Sequence, residues 1–401
     1  MKKLVFLLIV LTSIRLQAQK PPVYINLVSH NEDTYTQYLS NPPSYFDIRI
    51  KMILFAEMCQ NKGAKWHLGS DWILPIAVFR NDTGSILSTT GGKNILRYLN
   101  EDLNISIDVH SHESSYSKTD VFHLLDTLGV NVSEVLSGFL VNQLSHGHLW
   151  MNYQNPVPGD SFPHISWQPK YLWGAGTPGH VNDPFYTGIW KPKDTAVTTD
   201  FITHDSTKYL INYGQGCKIK LEATSLIDTL IDPLRDLINA IQNGTIPEDG
   251  IYCTSIFFNE ASLALPNFIN LAGELIDSIN HYVALGQVEW MKIDSVGYLW
   301  DSSHMDPSIH DCSEYSVGIE HITSKTSFLL YPNPSTGFIN IECSNNEKYM
   351  LEVYDLSGRL IQRKENISGA YQLNTSSFPS GSYLIRLQGD LFVWEEKFVK
   401  M

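Results

Sequence analysis

The chain is short of several things, and each shortage closes a class of function. Basic residues are outnumbered, 28 Lys and Arg against 42 Asp and Glu, giving a formal net charge of −14. Nucleic acid and anionic lipid both ask for a basic face, so neither is an expected partner. The five cysteines, Cys59, Cys217, Cys253, Cys312 and Cys343, are odd in number and contain no CxxC pair. A disulfide framework or a structural zinc cluster is therefore not expected. One bridge is compatible with an exported chain, and spacing alone does not pair it. Beyond the N-terminus no run approaches about 18 continuous apolar residues, so the mature chain is expected to be soluble. There is no GxSxG elbow, no Walker loop and no dinucleotide fingerprint, which removes serine hydrolases, nucleotide hydrolases and dehydrogenases.

What is present suffices for a core. Hydrophobic residues make up 43% of the 401 and charged residues 17%. That length predicts two or three domains. At the N-terminus Lys2 and Lys3 precede the apolar run Leu4 to Leu11, which is too short to span a bilayer. Residues 1–19 read as a signal peptide, with cleavage expected near Ala18 or Gln19.

Strand and helix patterns then alternate. Val23 to Ser29 (VYINLVS) reads as a buried strand and Tyr45 to Asn61 as a helix. Trp66 to Ser70 and Pro75 to Phe79 read as extended. Lys93 to Asp102 is helical, Ile105 to Val109 a strand, Thr119 to Leu128 a helix and Val135 to Val141 a strand. From Leu144 to Gly216 the chain is rich in Trp, Tyr, Pro, Gly and His and has no clear period, as binding loops do. The alternation resumes with helix Thr224 to Gln242, strand Ile251 to Phe258, helix Leu263 to Leu285, strand Val288 to Ile293 and a short helix Ser295 to Trp300. This rhythm predicts an α/β domain, a parallel sheet with covering helices, over 20–301. Residues 302–325 read as a polar linker. In 326–401 short strands alternate with the turn pairs Thr336-Gly337, Ser357-Gly358 and Ser380-Gly381, which predicts a small all-β sandwich.

In a parallel sheet, chemistry collects at the carboxyl ends of strands. Three such ends carry metal-competent side chains: Ser29-His30-Asn31-Glu32-Asp33, Gly69-Ser70-Asp71 and Asp108-Val109-His110-Ser111-His112-Glu113. Imidazole and carboxylate are the ligands of zinc and similar divalent ions. His110 and His112, with His30 or Asp71, are the candidate ligands, and zinc is the expected metal. Glu32, Asp71 and Glu113 are the candidates for proton transfer, with Asp33 a further carboxylate. Trp173, His180, Asp183, His204 and Glu260 are candidates for the substrate cleft. His146, His148 and His204-Asp205 offer further ligands or a general acid. The tryptophans Trp150, Trp167, Trp173 and Trp190 offer flat apolar faces to sugar rings, or pack the loops.

Two resemblances add to this reading. YPNPSTGFINIE, EVYDLSGRLI, LNTSSFPSGSYLIRL and a terminal FVK resemble the C-terminal sorting domain of the type IX secretion system of Bacteroidetes. This implies passage across the outer membrane and contact with the secretion machinery through 326–401. GGKNILRYLNEDLNISIDVHSHES and LGQVEWMKIDSVGYLW are similar to segments of polysaccharide deacetylases, of the glycoside hydrolase/deacetylase superfamily. The resemblance implies an incomplete (β/α) barrel of about seven strands and a carbohydrate substrate. The chain departs from that pattern in two places. The family's paired aspartates are replaced by His30-Asn31-Glu32-Asp33, and its His-x-x-x-His becomes His110-x-His112. His30-Asn31-Glu32 is also similar to the His-x-Asp zinc motif of alpha-mannosidases. The expectation is an exported metal-dependent carbohydrate hydrolase. The alternatives are a non-catalytic carbohydrate-binding or surface protein on a degenerate barrel, and a metal-dependent phosphoesterase.

Overall fold

The computed structural model describes residues 20–32, 35–110, 115–141, 150, 152–177, 183–217, 219–303, 306–313, 328–343, 348–355, 359–389 and 393–401. The expected signal peptide, Asp33, His112, Glu113, His146, His148 and His180 lie outside them. The chain divides into two compact units, Met1–Tyr315 and Ser316–Met401.

The first unit is built on one curled, mostly parallel sheet. Its strands are β1 (Val23–Asn31), β2 (Trp66–Ser70), β3 (Ser106–His110), β4 (Val135–Ser137), β5 (Tyr171–Trp173), β6 (Ile189–Trp190), β7 (Ile211–Tyr213), β8 (Ile219–Lys220), β9 (Cys253–Asn259) and β10 (Val288–Trp290). Nine of them run in the order β8-β9-β1-β2-β3-β4-β5-β7-β6, and β10 pairs with the start of β1. Only the β7–β6 pair is antiparallel. The segment after β7 returns towards β9, where the Ser255 N–H donates to the Gln215 carbonyl at 3.1 Å. The longer helices among the described residues are α1 (Pro42–Lys62), α2 (Ile73–Asn81), α3 (Ile95–Glu101), α4 (Lys118–Thr127), α5 (Ile227–Gln242), α6 (Phe268–Ala284) and α7 (Ile293–Ser303).

Local chemistry sets the helix ends. Pro42 occupies the first turn of α1, where a missing N–H costs nothing, and Gly63 ends it at φ 78°. Ser117 and Asp120 form a reciprocal capping box on α4. The period of two in β1 separates two cores. Val23, Ile25 and Leu27 face the helices, whereas Tyr24 and Val28 join Tyr171, Trp173, Ile211 and Tyr213 in a second cluster inside the curl.

Several expectations change. Pro75 to Phe79 is helical, part of α2. Pro75 sits in the first turn, where proline is tolerated, and the unbroken apolar run Ile73 to Phe79 hides the helical stripe that burial shows at Ile73, Leu74, Ala77 and Val78. The supposedly irregular 144–216 holds β5, β6 and β7, three strands of the main sheet. Each has two or three residues, too few to display a period. Within the stretch expected as linker, His310–Asp311 pairs antiparallel with Tyr186–Thr187, so this part packs into the first unit. One disulfide joins Cys217 and Cys312, 95 residues apart.

The second unit holds two antiparallel sheets. β11 (Phe328–Tyr331), β12 (Phe338–Cys343) and β15 (Tyr371–Asn374) form one; β13 (Lys348–Asp355), β14 (Leu360–Ser368), β16 (Gly381–Gly389) and β17 (Val393–Lys400) form the other. Ile339, Ile341 and Leu373 from the first sheet and Leu351, Val353, Ile385 and Phe398 from the second share one core. That is the arrangement of a small sandwich.

Candidate metal centre

The site forms where β1, β2 and β3 end side by side. His30 is in register with Gly69 of β2 and with Asn259 of β9, and His110 with Ser137 of β4. The same face of each strand looks into the curl, so His30 and His110 point inward together. Gly69 lies between their strands and contributes no side chain. A Cβ there would stand 2.9 Å from His30 Cδ2 and 2.6 Å from Ser137 Oγ. Gly138 does the same for His110: a Cβ would fall 2.1 Å from its Cε1, and φ is +76°. The two imidazoles therefore approach to 4.1 Å between centroids, with planes at 34°.

Glu32 completes the group. Its Oε2 is 3.9 Å from His110 Nε2. One ligand atom from each of His30, Glu32 and His110 lies within 4.8 Å of the others. His30 is 6% exposed and His110 1%, while the Glu32 side chain is 25% exposed and faces the opening. Two nitrogens and a carboxylate oxygen are a donor set that suits zinc or a similar divalent ion, with a position left over for substrate.

The three residues open into a cavity of about 450 Å³, lined also by Phe139, Trp173, Phe185, Phe257 and Lys220. Trp173 meets His30 edge-on at 5.3 Å and stacks on Phe257 at 5.9 Å. Its Nε1–H donates to Ser255 Oγ at 2.8 Å, and Ser255 donates to Asn26 Oδ1 at 2.7 Å. The tryptophan is thereby fixed in one orientation.

Beneath the donors is a buried pair the sequence reading passed over. His67 Nδ1 lies 2.8 Å from Asp108 Oδ2, and neither side chain is exposed. His67 Nε2 accepts the Ile293 N–H at 3.0 Å, so the ring is the Nδ1–H tautomer and donates to Asp108. Ser133 Oγ donates to the other oxygen of Asp108. Asp108 lies two residues before His110 on the same strand face, so the pair holds β3 in place under the site. Period two along SIDVH was the available signal.

Other candidates are placed variously. Asp71 is fully buried one residue past β2; its N–H donates to the Asn31 carbonyl at 3.1 Å and its Oδ1 accepts from Trp72 N–H at 2.7 Å. It is outside the three-residue group. Asp183 lines the cavity and accepts from the Thr177 hydroxyl at 3.0 Å. His204 stands away from the cavity lining: its Nδ1 accepts the Lys191 N–H at 3.1 Å, it meets Trp300 edge-on, and burial lowers its pKa. Glu260 is on the other side of the sheet. Asn31, whose side chain points opposite to that of His30, donates to Glu260 Oε2 at 3.3 Å, and Tyr38 OH donates to it at 3.0 Å. Burial pushes the Glu260 carboxyl up to about 7.

Comparison with known proteins separates the two units. No curated protein matches the chain. A candidate polysaccharide deacetylase from Mycobacterium smegmatis is similar over 73% of this chain and 94% of its own, at 8% identity and a TM-score of 0.43. An immunoglobulin-like β-sandwich protein of the DUF3244 family from Bacteroides vulgatus covers 19% of this chain and 96% of its own, at 12% identity and a TM-score of 0.16. PorZ of Porphyromonas gingivalis, an essential bacterial surface component of the type IX secretion system, covers 23% of this chain and 14% of its own, at 16% identity and a TM-score of 0.18. None of these likenesses assigns a chemistry to the first unit. Among the described residues no helix is long and apolar enough to cross a membrane. Residues 329–401 match the secretion system C-terminal sorting domain, and the protein is accordingly an exported one, secreted or held at the cell surface.

Proposed function

We propose that the first unit is a metal-dependent hydrolase acting on carbohydrate outside the cell, similar to polysaccharide deacetylases. One observation carries this reading: three donors from two strand ends converge at the floor of an aromatic-walled cavity. The seven strands β9, β1, β2, β3, β4, β5 and β7 support the reading of an incomplete (β/α) barrel.

His30, Glu32 and His110 would hold a divalent ion, zinc first, which when bound supplies Lewis acidity towards a substrate oxygen. Glu32 then serves as a ligand, and Asp71 is the carboxylate assigned to proton transfer. The buried rings keep solvent off the imidazoles. Trp173 and Phe257 give the wall an apolar surface that suits the C–H face of a sugar ring. His112 and Glu113 keep their assignments as further ligand and base by sequence position.

Metal analysis of the mature protein tests this directly. About one zinc per chain is expected after dialysis, lost in both His30→Ala and His110→Ala while the circular dichroism spectrum stays unchanged. Release of acetate from acetylated oligosaccharides, against release of reducing ends, then distinguishes deacylation from glycosidic cleavage. A chain that takes up no metal from micromolar zinc, yet binds glycans, would be a binding protein and the proposal would fall.

A further inference from the structure

The Cys217–Cys312 bridge is rooted in one of two segments that line part of the cavity. Asp183 and Phe185 line it from one segment; Gln215, with Ile219 and Lys220 of β8, lines it from the other. The two segments are bonded to each other. The Gly214 N–H donates to the Gly188 carbonyl and the Gly216 N–H to the Tyr186 carbonyl, both at 2.9 Å, and Gln215 Nε2 donates to the Pro184 carbonyl at 3.1 Å.

Residues 306–313 lie across the outside of this pair as a strap. His310 and Asp311 pair with Thr187 and Tyr186, and the Cys312 N–H donates to the Phe185 carbonyl at 2.7 Å. The packing leaves no spare room. A Cβ on Gly188 would stand 1.8 Å from the Ser308 carbonyl oxygen, and one on Gly250 would stand 2.5 Å from Ser308 Oγ. The disulfide then fastens the strap to the second wall segment at Cys217, two residues past Gln215 and two before Ile219.

We propose that this strap and its disulfide form a maturation lock, which sets the cavity wall after export and leaves it loose while the chain is reduced. Closing it takes two electrons and two protons from the Cys217 and Cys312 thiols. The acceptor is a disulfide-donating oxidoreductase of the cell envelope, itself reduced to a dithiol, as the oxidising compartment provides. The other described thiols do not compete. Cys59 is buried, and Cys253 is buried with its Sγ–H directed at the Gly188 and Gly214 carbonyls and its pKa pushed up to about 12. The metal donors sit at the ends of β1 and β3, and none of the residues 306–313 is among those lining the cavity, so the lock acts on the wall and not on the grip.

The test is hydrogen exchange on the folded full chain before and after reduction with a phosphine, which takes up the oxygen of one water as the bridge becomes two thiols. Cys312→Ser is run in parallel. Protection of 183–188, 214–220 and 306–313 should fall by roughly tenfold or more in both samples, with β1 to β3 unchanged. Unchanged protection in those three segments would overturn the proposal. So would loss of protection across the whole unit, which would make the bridge a staple of the fold. A zinc titration of the reduced chain adds a separate readout: affinity close to that of the oxidised chain is expected, and a fall of more than tenfold would overturn the separation of wall from grip. Neither readout uses catalysis, so failure of the hydrolase reading leaves this result intact.

Discussion

At the scale of single residues, the glycines beside the imidazoles matter as much as the imidazoles. Gly138 has a positive φ and gives up its side-chain volume to His110, so Gly138→Ala forces the ring aside and strains the backbone. Zinc affinity should fall about 10- to 100-fold, and stability by about 1–3 kcal/mol, in calorimetric titration and thermal melts. Glu260 gives a second prediction. Its carboxyl is protonated more readily in the folded chain than in the unfolded one, because burial disfavours the charge. The folded state therefore holds the extra proton, and its stability is full below the unfolded value and falls as pH rises through about 7. Glu260→Gln should flatten that decline, which amounts to roughly 3 kcal/mol at most, in urea melts between pH 5 and pH 8. The sequence nominated His30 and His110 as ligands, and Glu32 for proton transfer, because strand ends can be read from the strands before them. It did not disclose which face Glu260 takes. Asn259 is the residue that pairs with His30 and lines the cavity, a register visible only in the sheet, and alternation then carries Glu260 to the opposite face, towards Tyr38.

At the scale of elements, the His67–Asp108 pair ties β2 to β3, and the Ile293 N–H ties both to the start of α7. Removing one partner strands the other inside an apolar layer. Asp108→Ala should cost about 3–5 kcal/mol, seen as an early denaturant midpoint, whereas Asp108→Asn, which keeps an acceptor for His67, should cost less. The long elements could be read from the chain: α1, α5, α6, β1 and β9 carry enough residues to show a period, and their bounds differ from the expected ones by a few positions. The three-residue β5 and β7 could not. Their place in the sheet comes from pairing with β4 and with each other, which is a long-range property. The strap was likewise invisible, because its polar composition is that of a linker and only its partners make it structural.

At the scale of the whole molecule, the export signal and the candidate metal site are carried by different units. The sorting domain over 329–401 addresses the chain, and its deletion should leave the first unit folded in the periplasm and absent from the surface and medium, as cell fractionation would record. Within the first unit a further division holds. His30, Glu32 and His110 all come from the opening 110 residues, whereas Phe139, Trp173, Phe185, Lys220 and Phe257 come from later in the chain. The loops that carry Phe139 and Phe185 can therefore differ without rewriting the ends of β1 and β3. A lineage of such chains would keep one set of inward donors and vary the mouth above it.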